Sequence, residues 1–117
     1  MPIRMNERIE RGIRLFNNRE FFECHEVLEE EWTPETGARR LFLQSLIHMA
    51  VGLYHAERGN HAGAIRQLRK GLGKLAGYLP SCEGIDTLRL HRDALAALHS
   101  IEAGGRAFEQ PRIHLAA

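Results

Sequence analysis

The segment from residue 36 to residue 58 is apolar around nearly the whole circumference of a helix, and it constrains the fold more than any other feature. Its wide apolar face is formed by Leu43, Leu46, Ile47, Ala50, Leu53 and Tyr54, and Phe42 and Met49 extend this face round the back. A helix that is apolar on all sides is buried between other elements. We therefore expect this helix at the centre of the fold, covered by its neighbours.

The rest of the chain is also typical of helix. Strands are not predicted, because the sequence shows no period-2 alternation and few β-branched residues. Thr33-Pro34 and Gly59-Asn60 end helices, and Asp86 is a good N-cap. The predicted helices span about 4–17, 19–32, 36–58, 61–78 and 86–103. Short loops make neighbouring helices antiparallel, so we predict an all-α fold, a compact antiparallel bundle of about five helices.

Length and composition narrow the class of protein. A chain of 117 residues suits one domain. We assign residues 1–103 to a single helical-bundle domain and residues 104–117 to a C-terminal tail, loosely held or docked on a partner. The sequence has no apolar run near the ~20 residues of a membrane helix, no apolar core of a secretory signal and no disulfide framework. We therefore expect a cytoplasmic protein with no membrane partner, and the net charge of +1 argues against nucleic acid.

Charge is unevenly distributed along the chain. Residues 20–35 contain seven Glu and no basic residue, whereas residues 36–79 contain seven basic residues and one acid. One interpretation is that the acidic segment docks against basic neighbours and is otherwise solvated. The other is that some of these carboxylates bind a cation.

The second predicted helix divides its side chains between two faces. On a helical wheel the inward stripe consists of Phe21, Cys24, Leu28 and Trp32. His25 and Glu29 lie at the edge of this stripe, flanked by Phe22 and Glu26, whereas Glu23, Glu30 and Glu31 point mostly to water. Of the seven glutamates, Glu26 and Glu29 are therefore the two that can share a site with His25.

The third predicted helix carries a polar stripe within its apolar surface. Gln44, His48, Val51 and His55 fall on one side of the wheel. If the second and third helices pack antiparallel, His25 and Glu29 can meet His48 and His55, a set that suits zinc, iron or manganese. The alternative to a metal site is an ordinary His–Glu pair on one helix together with local hydrogen bonds. The zincin motif HExxH is not present, because Glu29 replaces its second histidine.

The strings FFECHEVLEEEW and LQSLIHMAVGLYHAERGNHAGAIRQLRKG, followed by YLP and GID, resemble the small all-helical family called domain of unknown function 309. The resemblance covers roughly residues 7–90, and members are commonly labelled predicted metal-dependent hydrolase. It implies an all-α bundle, and His48 takes a position where many members have glutamine. The polar signature that it implies is Glu23, His25, Glu26, Glu29, Trp32, Gln44, His55, Gly59 and Asn60.

A second likeness concerns the middle of the chain. The spacing of Gly52, Gly59, Ala64 and Leu68 resembles one helix-turn-helix unit of a tetratricopeptide array. Small residues at such positions let two helices approach closely. One unit does not make a solenoid, but it predicts a helical hairpin over residues 43–78.

Two functions remain open at this point. The first is a metal-dependent hydrolase of a small-molecule substrate, in which one divalent metal is bound by His25, Glu29 and His55, with His48 as a further ligand, and Glu26 is the general base. The second is a non-catalytic interaction module, in which the His/Glu cluster is a buried polar network. Its protein partner would bind an apolar groove or a basic face, and a homo-oligomer is also compatible with the sequence. That basic face consists of Arg66, Arg69, Lys70 and Lys74.

Overall fold

Five α-helices make up most of the computed structural model, which describes residues 6–117. The all-α prediction is confirmed: within these residues β-pairing is limited to isolated bridges at Ile85. Residues 4 and 5 of the first predicted helix lie outside the described residues. No helix between residues 6 and 117 is long and apolar enough to cross a membrane. The helices are α1 (Glu7–Asn17), α2 (Phe21–Trp32), α3 (Arg39–Glu57), α4 (His61–Leu75) and α5 (Thr87–Glu102), and a 3₁₀ turn (Ala76–Tyr78) follows α4.

The helix α3 occupies the centre, as its all-round apolar surface predicts. It packs against α2 on one side and α4 on the other, while α1 covers α2 and α5 covers α4. Each helix therefore contacts chiefly the next helix in the chain. The residues of α3 that are buried are Phe42, Leu43, Ser45, Leu46, Ile47, Met49, Ala50, Gly52 and Leu53.

Two glycines allow α3 and α4 to pack closely and so form the predicted hairpin. A Cβ atom on Gly52 would lie 2.9 Å from Leu68 Cγ, and one on Gly71 would lie 3.0 Å from the carbonyl oxygen of Ser45. Real Cβ atoms essentially never show the first distance, and the second is tighter than nine in ten of their contacts. The turn between the helices is fixed by Asn60, whose side chain accepts a hydrogen bond from the amide of Gly63 at 3.0 Å.

The segment that follows α5 packs on the chain itself. The amide of Ile113 donates to Asn17 Oδ1 at 2.7 Å, and Asn17 Nδ2 donates to the carbonyl oxygen of Ile113 at 2.9 Å. The amide of Asp86 donates to the carbonyl oxygen of His114 at 2.8 Å. Ile113 is buried. The sequence led us to expect residues 104–117 as a tail that is loosely held or docked on a partner. In the structure part of this segment instead connects the end of α1 to the loop before α5.

Candidate functional site

The helix α2 buries one face and exposes the other, largely as the helical wheel predicts. Phe21, Cys24 and Leu28 are buried, and the Cys24 thiol donates to the carbonyl oxygen of Gly12 at 3.2 Å. Burial raises the pKa of Cys24 to about 12, so this thiol is a neutral part of the core. The opposite face presents Phe22 and the candidate site residues to the surface.

A small groove lies between α2 and α3. Phe22, His25, Val51, Tyr54 and His55 line it together with Phe21, and its volume is about 160 Å³. We call it the aromatic groove. The ring centroids of Phe22 and His25 are 5.1 Å apart, and those of Phe22 and Tyr54 are 5.7 Å apart. The groove therefore brings together His25 from one helix and His55 from the other.

The orientation of the His25 ring is set by a backbone contact. His25 Nδ1 lies 2.6 Å from the carbonyl oxygen of Phe22, which has no proton to give, so Nδ1 is the nitrogen that carries hydrogen. His25 Nε2 lies 3.7 Å from Glu29 Oε1, which is beyond hydrogen-bonding distance. His25 and Glu29 are therefore only loosely associated at the protein surface, and in the neutral form of the ring the Nε2 lone pair is not engaged by Glu29.

His48 is directed towards α4. Its Nδ1 lies 2.7 Å from Gln67 Oε1 of α4. Burial lowers the pKa of His48, and the positive charges of Lys74 and Lys70 lower it further, against the effect of the bond to Gln67. Because α3 is covered on two sides, its polar stripe is divided: His55 lines the aromatic groove, and His48 contacts α4.

The arrangement does not fit a metal ion as the side chains stand. Within residues 6–117 no three His, Cys, Asp or Glu residues are placed to hold one ion. His25 and Glu29 provide two donors, His55 Nδ1 lies 3.4 Å from Asn60 Nδ2, and Glu26 is exposed. A closed site usually needs three or four ligands. Using these residues as ligands would therefore require side-chain movement.

The other residues of the polar signature implied by the family resemblance lie outside the aromatic groove, and some of them have local structural roles. Glu23 lines a wider depression of about 400 Å³ that shares Phe22 and Tyr54 with the aromatic groove. Arg40 lies over the ring of Trp32, with its guanidinium carbon 3.9 Å from the centroid. Asn60 caps α4, as described above. Gln44 is half-buried on α3.

Sequence reasoning missed one charged cluster, around Glu31. Its carboxylate was expected to point to water, but it accepts from Arg39 Nη1 at 2.8 Å and Arg8 Nη1 at 3.1 Å. Arg39 Nε also contacts Glu83 at 2.8 Å. Although burial alone would raise the pKa of Glu31, hydrogen bonds from Arg39, Asn6 and Arg8 hold it below its usual value. The available signal was the excess of arginine in the segments flanking residues 20–35, which supports the docking interpretation.

Comparison with known proteins gives a family match that includes both helices of the groove. The family described as Domain of unknown function (DUF309) matches residues 9–67, from α1 into α4. A protein of Bacillus subtilis (strain 168) described as Uncharacterized protein YpuF is 42% identical over 75 residues. That match covers 62% of this chain and 43% of the relative, so the chain spans less than half of the relative's length.

Proposed function

This chain belongs to the family described as Domain of unknown function (DUF309), and from that premise we propose that it is a non-catalytic binding module. Its aromatic groove takes up a basic, apolar helical segment of a partner protein. The single observation that carries this proposal is the exposure of Phe22 at the mouth of the groove.

Phe22 is an unusual residue to leave in water. The residue is 46% exposed, although its ring contacts those of His25 and Tyr54. A phenylalanine side chain has an accessible area of roughly 200 Å². Covering the exposed part would remove about 90 Å² from water, which stabilises a complex by about 2 kcal/mol at ~25 cal/mol per Å².

The charges beside the groove indicate the sign of the partner. Glu26 and Glu29 are exposed on the same face of α2 as Phe22, and Glu23 lines the adjoining depression. Between residues 6 and 117, Glu23 and Glu26 make no ion pair. Two arginines lie nearby: Arg58 has its guanidinium carbon 5.4 Å from the centroid of the Tyr54 ring, and Arg19 in the adjoining depression pairs with Glu57. The carboxylates outnumber these two charges, so the rim is acidic on balance. An apolar floor with such a rim fits an amphipathic helix whose polar face carries Lys or Arg.

The test uses a fluorescent model peptide of leucine and lysine arranged as an amphipathic helix, with a leucine–glutamate peptide of the same pattern for comparison. Fluorescence anisotropy should show binding of the basic peptide that weakens with salt. Phe22→Ser should weaken binding roughly thirtyfold, which corresponds to about 2 kcal/mol. Glu26→Gln together with Glu29→Gln should weaken binding and reduce its dependence on salt.

Leu88→Ser is the matched control, because Leu88 is 53% exposed on α5, outside the groove. This variant should bind the basic peptide as the wild type does. The proposal fails if the basic peptide does not bind, if the acidic peptide binds equally well, or if Leu88→Ser and Phe22→Ser have the same effect.

One observation favours a second candidate function, a metal-dependent hydrolase. Because His25 Nδ1 is bound to a backbone carbonyl oxygen, its Nε2 lone pair is left for a ligand, which is how many metal-binding histidines are held. Elemental analysis of the untagged protein and of His25→Ala separates the two functions. About one zinc, iron or manganese ion per chain, lost in the variant, would favour the hydrolase. Metal-free protein that binds the basic peptide would favour the module.

A further inference from the structure

The two helices that flank α3 carry charges of opposite sign. Helix α2 contains five glutamates and neither Lys nor Arg, whereas α4 contains four Lys or Arg residues and neither Asp nor Glu. Both helices pack against α3. The central helix therefore lies between an acidic neighbour and a basic one.

The charges that point away from α3 are paired within the chain. Glu31 of α2 accepts from Arg8 of α1 at 3.1 Å, and Arg69 of α4 pairs with Glu102 of α5. The outer sides of the two flanking helices are thus neutralised by their own neighbours.

The charges that remain border an open face of α3. The residues of this face are half-buried, because α2 and α4 cover only the sides of α3. They are Gln44, His48, Val51 and His55. Within residues 6–117 the charged side chains of α2 and α4 that have no Lys, Arg, Asp or Glu partner are Glu23, Glu26, Glu29, Arg66, Lys70 and Lys74. We call Glu26 and Glu29 the acidic edge of the open face, and Arg66, Lys70 and Lys74 its basic edge.

The two edges lie at the same level along α3. Phe22 packs on Tyr54, and α2 runs antiparallel to α3, so the acidic edge, one to two turns further along α2, lies beside the middle of α3. Gln67 of α4 contacts His48, and the basic edge runs from the residue before Gln67 to two turns after it. Adjacent helix axes are about 8–10 Å apart, so the edges are separated by roughly 16–20 Å and cannot pair within one copy.

We propose that a second copy of this chain docks on the open face and forms a twofold-symmetric dimer whose axis runs parallel to α3. Such an axis places the acidic edge of each copy opposite the basic edge of the other, at the same level along the helix. An axis in the interface that runs across α3 would instead place acid on acid and base on base. The inference rests on the proposed function and names its partner, because the second copy covers the aromatic groove and its α4 is the basic helix.

The open face is large enough for a weak dimer. Helix α3 has 19 residues and is therefore about 28 Å long at 1.5 Å per residue. Three helices side by side are about 16–20 Å across, so the face offers roughly 500 Å² per copy. The total of about 1,000 Å² is at the lower limit for a specific interface. We therefore expect a dimer that dissociates on dilution.

The first test is sedimentation velocity of the wild type at concentrations from about 1 µM to about 1 mM. The dimer should form as concentration rises and should dissociate as salt is raised, because the paired edges are exposed to solvent. Glu26→Lys with Glu29→Lys should weaken association by about tenfold or more, and so should Lys70→Glu with Lys74→Glu. A wild type that stays monomeric throughout would overturn the proposal.

Arg89→Glu with Arg92→Glu is the matched control for the lysine variant. It makes the same change in net charge on α5, outside the open face, and should dimerise as the wild type does. Circular dichroism establishes that each variant is folded. Equal loss of the dimer in the control and in the lysine variant would mean that net charge, and not the basic edge, governs association, and the proposal would be wrong.

Exchanging the charges of the two edges tests the direction of the axis. A chain with all four edge substitutions has a basic α2 edge and an acidic α4 edge, and an axis parallel to α3 again brings opposite charges together. This variant should dimerise, as should an equimolar mixture of the two double variants. If the four substitutions prevent folding, the mixture alone gives the test. Folded variants that stay monomeric in both experiments would contradict the proposed pairing of edges.

The lysine variant also separates this inference from the proposed function. Lys70→Glu with Lys74→Glu removes the dimer but leaves the aromatic groove and its acidic edge unchanged, so it should still bind the basic leucine–lysine peptide. The same peptide should dissociate the wild-type dimer. A monomeric wild type that binds the peptide would overturn the dimer and leave the proposed function standing. A dimer that depends on both edges, in a chain whose lysine variant does not bind the peptide, would support the dimer and refute the binding of other basic helices.

Discussion

Alanine substitutions at two glycines of α4 test whether the close packing of α3 on α4 determines the stability of this protein. A Cβ atom on Gly71 would lie 3.0 Å from Met49 Cγ and 3.0 Å from the carbonyl oxygen of Ser45, so in Gly71→Ala these neighbours must move by a few tenths of an ångström, and one of them is backbone. Gly73 is two residues further along the same helix, and a Cβ atom there would meet nothing within 4 Å. The two alanine variants therefore share a change in helix propensity and differ in the steric clash.

The magnitudes follow from these contacts. Replacing glycine by alanine inside a helix stabilises by about 1 kcal/mol, which is the expected effect of Gly73→Ala. Overpacking costs about 1–3 kcal/mol, so Gly71→Ala should be less stable than Gly73→Ala by roughly that amount. In a domain of this size each kcal/mol corresponds to a shift of about 4 °C in Tm.

The assay is urea unfolding followed by far-UV circular dichroism, with Trp32 fluorescence as a second probe. Both variants should unfold in one cooperative transition with an unchanged slope, so that the midpoint reports stability. If Gly71→Ala proves as stable as Gly73→Ala, the close approach of α3 and α4 does not limit stability, and the reasoning is wrong.

Two further predictions concern side chains with defined partners. The pKa of Glu31 is lowered in the folded state, so its contribution to stability is present above the ordinary glutamate pKa. This contribution is lost as pH falls through the lower pKa of the folded state. Glu31→Gln should therefore reduce the loss of unfolding free energy at acid pH, as denaturant titrations at several pH values would show. Asn60→Ala removes the cap of α4 and should lower the free energy of unfolding by about 1 kcal/mol, whereas Asn60→Asp should retain most of it, as urea titration would show.

The sequence could predict those features that depend on one helix at a time. The central place of α3 followed from its all-round apolar surface, and the inward stripe of α2 from the spacing of Phe21, Cys24 and Leu28. The presence of His25 and His55 at one groove also followed from two helical wheels. Each of these inferences needs only the period of a helix.

Features that depend on the packing of several segments were not predictable in this way. His48 contacts Gln67 of α4 because α3 has two neighbours, and a wheel does not say which neighbour a residue at the edge of a stripe will meet. Arg39 joins Glu31 to Glu83, residues that are distant in sequence. The segment around Ile113 has no periodicity, and its position depends on hydrogen bonds to Asn17 and to the loop before α5 and on the burial of Ile113.

Those two bonds at Asn17 have a consequence for the order of folding. Most of the helix packing joins consecutive helices, so the loops to be closed are short and the entropy cost of each step is small. The contact between Asn17 and Ile113 spans 96 positions of the chain. Its closure is costly while the chain is open and cheap once the five helices have stacked, because the stack already holds the two ends near each other. We therefore expect the C-terminal segment to dock after the helices have packed, and it then joins the end of α1 to a region 96 positions away in a chain whose helix contacts are largely local.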